Sequence, residues 1–178
     1  MKKRKLILYI SCSLDGFIAA PGDDLSFLER VQQEGEDYGY TEFTKTVDTV
    51  IMGRRTYDWI LSQGVDYPHK DKTSYIIARE QKEPKENVHF YTGRLTELAE
   101  KLKNSEGKNI FCDGGGFVVG ELLKNKLLDE LIVSVIPVLL GSGTRLFSEG
   151  IPVHDLRLEE SRSFESGLVQ FHYAVIPS

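Results

Sequence analysis

Apolar and polar positions along this chain follow two periods, and the period changes at short, regular intervals. The runs Leu6-Ile7-Leu8-Tyr9-Ile10, Thr49-Val50-Ile51-Met52, Ser74 to Ala78, Asn87 to Tyr91, Ile110 to Cys112 and Leu131 to Val138 have the length and β-branched content of buried strands. Between them the spacing becomes helical. Leu95, Leu98, Ala99 and Leu102 fall on one helix face, Tyr40 to Thr46 forms a short helical segment, and a third helix carries Tyr57, Ile60 and Leu61. Ser11 to Asp24, with Asp15-Gly16 and Pro21-Gly22, reads as a loop, and Asp24 is placed to cap a short helix that begins Leu25-Ser26-Phe27-Leu28. The end differs: Leu156 to Ile176 contains two alternating runs around Glu165-Ser166-Gly167, the pattern of a hairpin. Strand and helix alternate and an antiparallel hairpin follows, which predicts an α/β sandwich with a mostly parallel sheet.

Composition narrows the function more than the fold. With 178 residues, 40% hydrophobic and 28% charged, the chain is expected to form one domain, residues 1–178, with a core of its own. A net charge of −5 disfavours a nucleic-acid or anionic-membrane partner. The basic cluster Lys2-Lys3-Arg4-Lys5 reads as a solvated lead-in to the first strand, and the apolar stretch after it is too short for a signal-peptide core. Cys12 and Cys112 each lie in a strand-like run, as buried free thiols of a reducing cytoplasm would, and no Cys/His spacing suits a metal.

Two junctions carry the chemistry. Asp113-Gly114-Gly115-Gly116-Phe117 stands where a strand gives way to the helical Val118-Val119-Gly120-Glu121-Leu122-Leu123. Three glycines there strip side chains from a bend whose amides point along the new helix, which suits a phosphate; a tight turn without ligand is the plainer reading. The dinucleotide fingerprint G-x-G-x-x-G is not met, because Val119 occupies its last position. Val50-Ile51-Met52-Gly53-Arg54-Arg55-Thr56-Tyr57 is the second junction: a strand ends in glycine, two guanidinium groups follow, and a hydroxyl enters the first turn of a helix. Both sit at the carboxyl ends of predicted parallel strands, the ends that line the crevice of an open α/β sheet.

In these segments the chain resembles the dihydrofolate reductase superfamily. Ser13-Leu14-Asp15-Gly16-Phe17-Ile18-Ala19 is similar to the loop after that fold's first strand, and Val50 to Thr56 to its cofactor-binding junction. Ser74 to Arg79 is similar to the strand that meets the adenosine side, and Gly114-Gly115-Gly116 to the turn under the pyrophosphate. Asp129-Glu130-Leu131 and Ile136 to Phe147 resemble one branch, the reductase domain of the bifunctional riboflavin-biosynthesis deaminase/reductase and its stand-alone relatives. The deaminase motifs, His-x-Glu with Pro-Cys-x-x-Cys, are absent.

The resemblance implies a three-layer sandwich and a cytoplasmic, homodimeric oxidoreductase. It implies NADPH-dependent hydride transfer to a small heterocycle or a ribosylamino-pyrimidine, as in riboflavin biosynthesis; dihydrofolate reduction and non-catalytic nucleotide binding are the alternatives. It places cofactor contacts at Gly53, Arg54, Arg55, Thr56, Ala78, Arg79, Gly114, Gly115, Gly116, Phe117 and Val118, and substrate contacts at Phe27 and Ser134. Leu131 to Leu140 and the hairpin would supply the dimer surface, and the Gly114–Gly115 bond would be cis. The carboxylate of folate enzymes maps near Asp37 or onto Gly39, and their nicotinamide-side tyrosine is replaced by Val119. Asp15 and Asp113 are the carboxylates suited to orienting substrate or carrying protons, although Asp15-Gly16 is also a turn pair and Asp113 a possible helix cap. His69, His89, His154 and His172 have no partner at triad or metal spacing and are assigned no chemistry; Trp59 is expected to pack.

Overall fold

The computed structural model describes residues 3–177, and its elements follow the alternation read from the sequence. In chain order they are β1 (Leu6–Ser13), β2 (Phe17–Ala19), a 3-10 helix (Ser26–Val31), α1 (Tyr40–Lys45), β3 (Val47–Gly53), α2 (Arg54–Ser62), β4 (Thr73–Ile77), β5 (Val88–Tyr91), α3 (Leu95–Lys103), β6 (Asn109–Cys112), α4 (Gly116–Lys124), β7 (Glu130–Ile136), β8 (Thr144–Arg145), β9 (Leu156–Ser163) and β10 (Val169–Val175). Eight strands form one sheet in the order β5-β4-β3-β6-β1-β7-β10-β9, parallel from β5 to β7 and antiparallel through the terminal hairpin. The short pair β2–β8, with β2 inside the segment that reads as a loop, makes a second sheet.

Strand parity explains the layers. On one face Leu6, Leu8, Ile51, Ile110 and Cys112 pack with Leu95, Leu98, Leu122 and Leu123 of α3 and α4. On the other, Ile7, Val50, Met52 and Phe111 pack with Phe43 of α1 and Tyr57 of α2. Each central strand is therefore apolar on both sides, as parallel strands under two helical layers must be. The result is the three-layer α/β sandwich. At the carboxyl end of β7 a smaller cluster gathers Phe27, Val31, Ile136 and Leu168.

The topology selects one place for a ligand. After β3 the chain crosses through α2 to β4, and after the neighbouring β6 it crosses through α4 to β7 on the other side of β1. Adjacent strands whose continuations leave in opposite directions open a crevice at their carboxyl ends. The two glycine junctions occupy that position, and the Gly53 amide meets the Gly114 carbonyl at 3.4 Å.

Two expectations are corrected. Arg4 is not solvated: it is 6% exposed, with its guanidinium on Asp48 (2.5 Å), Thr49 Oγ1 (2.7 Å) and Ser105 Oγ (2.9 Å), pinning β1 to β3 and to the turn after α3. Lys2 of that cluster lies outside the described residues. The Gly114–Gly115 bond is trans, as are all described peptide bonds; the bend comes from two successive residues at φ +90° instead.

Candidate functional site

A cleft of about 1310 Å³ runs across the carboxyl ends of β1, β3, β4, β5 and β6. Its floor is the glycine crease. Gly115 and Gly116 line it, with Gly114 buried just beneath. A Cβ on Gly116 would lie 2.9 Å from the Arg145 carbonyl, and one on Gly115 would lie 3.3 Å from Thr56 Oγ1. Side chains are excluded where a ligand would need the backbone.

Two helix N-termini converge on this crease. Helix α2 begins after Gly53 and α4 after Gly115, and neither N-cap residue supplies a side-chain hydrogen bond. The first-turn amides of each are left without intrahelical acceptors, and the positive helix ends add to them. Arg54, Arg55, Arg79 and Arg94 also line the cleft. Arg54 lies 5.4 Å over the Phe90 ring and binds both Asp58 carboxylate oxygens at 2.7 Å. Arg55 reaches across to Asp23, on the loop after β2, at 2.6 Å. Arg79 has no ion-pair partner among the described residues.

These features fit a dinucleotide. The volume exceeds the roughly 300–1,000 Å³ of ordinary small-molecule pockets. The crease admits a pyrophosphate against bare backbone, and guanidinium groups stand at the end where an adenosine phosphate would lie. Thr56, Ala78, Phe117 and Val118 line the same space, so the expected cofactor residues are gathered in one place.

Asp113, at the end of β6, faces the cleft half-buried and is tied to His69 Nε2 at 2.8 Å. His69 is 1% exposed, with Tyr67 and Phe111 edge-on to its ring at 5.4 and 5.6 Å. The pairing corrects the sequence reading that gave His69 no partner. Its carboxylate lies 44 positions away in sequence, so no local spacing marks it. Burial, and then the Asp113 charge, push the Tyr40 phenol up. Burial also raises Tyr67 to about 12, with Asp113 again contributing, so both phenols stay neutral at physiological pH.

Asp15 stands elsewhere. Its carboxylate accepts from Ser13 Oγ (2.6 Å) and from the amides of Leu140 (3.1 Å) and Gly141 (2.7 Å). Those bonds, the Ser13 hydroxyl foremost, hold its pKa down at about 2, and it does not line the cleft. Asp15 pins the segment after β7 to the end of β1. Phe27 is 5% exposed within the small cluster at the end of β7; its neighbours Leu25 and Leu28 form the wall instead. Trp59, expected to pack, lines the cleft. Val119 is wholly buried in the core.

A second cavity, about 600 Å³, adjoins the cleft and shares Tyr9, Ser11, Leu28 and Tyr40 with it. Ser134 lines this cavity, 3% exposed, and accepts from Gln170 Nε2 at 3.0 Å. Asp37 lies on its rim with its carboxylate on the amides of Gly39 (2.9 Å) and Thr41 (3.0 Å), so it serves the start of α1. Among the described residues no cluster of three or more His, Cys, Asp or Glu side chains could hold a metal, and no helix is long and apolar enough to cross a membrane.

Comparison with known proteins agrees with this arrangement. The profile of the RibD C-terminal domain matches residues 4–170. The Bacillus subtilis (strain 168) protein YwjB is 39% identical over 172 residues, 96% of this chain and 98% of its own. A Shewanella sp. PV-4 structure with a riboflavin-biosynthesis designation superposes with a TM-score of 0.89 at 29% identity, covering 97% of this chain and 99% of that one. The dihydrofolate reductase of Enterococcus faecalis, solved with NADP(H), superposes at 0.69 over 97% of each chain; at 16% identity the likeness is one of fold.

Proposed function

This chain belongs to the RibD C-terminal domain family, and we propose that it is an NADPH-dependent reductase of a small conjugated heterocycle. The observation that carries the reading is the crease where two uncapped helix N-termini meet, in a cleft that four arginines also line. NADPH held there would supply hydride to an electron-poor C=N or C=O carbon, whose nitrogen or oxygen then takes a proton.

The chain's own groups bind, orient and exclude water. The amides at the starts of α2 and α4 take the pyrophosphate. Arg79, free of an ion pair, takes the 2′-phosphate; Arg55 joins it by leaving Asp23. Asp113 faces the reacting end and handles the proton. His69 acts through Asp113: in the tautomer carrying hydrogen on Nε2 it donates to the carboxylate and fixes its direction. Dihydrofolate is a poor substrate on this account, because Asp37, on the rim of the smaller cavity, is committed to the backbone amides that begin α1.

Steady-state oxidation of NADPH against pyrimidine and pterin substrates tests the reading. Turnover of one of them, lost in Asp113→Asn and His69→Leu but largely kept in His69→Gln, is the expected result. Tight NADPH binding with no substrate reduced would leave a nucleotide-binding protein without catalysis. We also propose a cytoplasmic homodimer. The free, buried Cys12 and Cys112 support the compartment. Leu156 and Leu158, exposed on the edge strand β9, support the interface. Light scattering at the 20.2 kDa mass of one chain would refute the dimer.

A further inference from the structure

We propose that the smaller cavity receives the substrate, and that it admits a planar heterocycle bearing uncharged or cationic substituents while excluding a phosphate monoester. The inference rests on the reductase reading above and narrows its substrate class.

The cavity's shape comes first. Its wall toward the cleft is made by Tyr9 and Tyr40, whose rings meet edge-on at 5.6 Å, and by Leu28. A flat ring can lie against these faces with one edge in the cleft. At about 600 Å³ the space suits one such molecule and not a second dinucleotide.

The buried polar group comes second. Gln170, 4% exposed, holds its Nε2 donors against the Tyr38 carbonyl at 3.1 Å, Ser134 Oγ at 3.0 Å and Tyr9 Oη at 3.2 Å. The carbonyl can only accept, which fixes the amide's orientation. With one N–H on that carbonyl, the other is shared between Ser134 Oγ and Tyr9 Oη, and the Ser134 hydroxyl proton makes no hydrogen bond among the described residues. A ring carbonyl or ring nitrogen would satisfy it.

Charge comes third and decides the class. Glu34, Glu36 and Asp37 line the cavity, and among its described lining residues there is no lysine, arginine or histidine. Glu36 accepts the Tyr38 amide at 2.6 Å. Thr41, through its side chain and then its amide, leads the contacts that hold the Asp37 carboxyl below its ordinary range. The Arg162 guanidinium packs on Gly39 but is paired with Glu160 at 3.2 Å and does not line the space. A phosphate monoester needs cationic forks or bare amides, and here it would face carboxylates instead. The cleft differs: four arginines line it beside Asp23, Asp113 and Glu121. The two halves of the site thus sort an anionic dinucleotide from a substrate that is not anionic.

The test is calorimetric titration of the NADPH-loaded protein with a ribosylaminouracil and with its 5′-phosphate, in wild type and in the double variant Glu34→Lys, Glu36→Lys. Both glutamates are exposed, and circular dichroism verifies that the variant is folded. The expected result is at least tenfold weaker binding of the phosphate in wild type, with the preference erased or inverted by the charge reversal. Equal or tighter binding of the phosphate in wild type overturns the inference, as does a preference that the reversal does not move. Fluorescence of Trp59 during NADPH loading separates the two levels: a normal response with the phosphate preferred overturns this inference alone, whereas no response removes the reductase reading and this inference with it.

Discussion

Replacing Gly115 with alanine separates what the glycine crease does for folding from what it does for a ligand. The backbone there has φ +90° and ψ +120°, a conformation that L residues avoid. Holding a side-chain-bearing residue in it costs about 1–3 kcal/mol. The new methyl would sit 3.3 Å from Thr56 Oγ1 and 3.9 Å from the Gly53 backbone, a close fit that a small hydroxyl displacement relieves. Against the roughly 5–15 kcal/mol that holds a domain together, the variant remains folded at room temperature. Binding is hit harder, because the methyl fills the crease between the two helix N-termini. Losing one charge-assisted hydrogen bond costs about 1.5–3 kcal/mol, or about 10- to 150-fold in the NADPH dissociation constant. Gly150→Ala is the control: its φ is +78°, and a Cβ there meets nothing within 4 Å. Urea unfolding should show a comparable stability loss in both variants, and Trp59 fluorescence titration a binding loss in Gly115→Ala alone. If folded Gly115→Ala binds NADPH within about twofold of wild type, well under one tenfold step of 1.4 kcal/mol, the crease is not the phosphate site.

Three further outcomes follow from the same geometry. Asp23→Asn releases Arg55 from an exposed ion pair worth at most about 1 kcal/mol, so NADPH should bind up to about fivefold more tightly; weaker binding would mean that Asp23 itself meets the ligand. Burial raises the thiol pKa to about 11 for Cys12 and about 12 for Cys112, so native protein should resist iodoacetamide at neutral pH and label at both sites once unfolded; rapid native labelling at either would contradict their burial. Asp15 has a folded pKa near 2, below the usual carboxyl value, so its grip on Leu140 and Gly141 is complete above ~pH 4 and fades as pH falls through about 2. Protection of those two amides in hydrogen exchange should follow that window, and loss already at ~pH 5 would refute it.

The parallel strands were legible because each is apolar on both faces, a pattern that a run such as Val50-Ile51-Met52 carries in itself. The glycine junctions were legible for a related reason: backbone exposed at a strand end requires glycine at that position and nowhere nearby. What stayed hidden depends on contacts distant in sequence. His69 acquires its meaning from Asp113, and Arg4 from Asp48, Thr49 and Ser105; no window of the chain holds either set. Strands β2 and β8 have three and two residues, too short for any period to register. Phe27 and Trp59 were hidden for the same reason: an aromatic side chain suits a core or a pocket wall equally, and the packing of distant elements puts Phe27 in a core cluster and Trp59 on the cleft.

Trp59 is the chain's single tryptophan and lines the cleft, which makes it the reporter for the central claim. Parallel titration of the wild-type protein with NADPH and NADH, followed by its fluorescence, should show saturable quenching at one cofactor per chain. NADPH should bind at least about tenfold more tightly, from one charge-assisted contact to the 2′-phosphate, and Arg79→Ala should erase that advantage. Equal affinity for the two cofactors, an Arg79→Ala protein that still prefers NADPH, or no quenching by either would contradict the account.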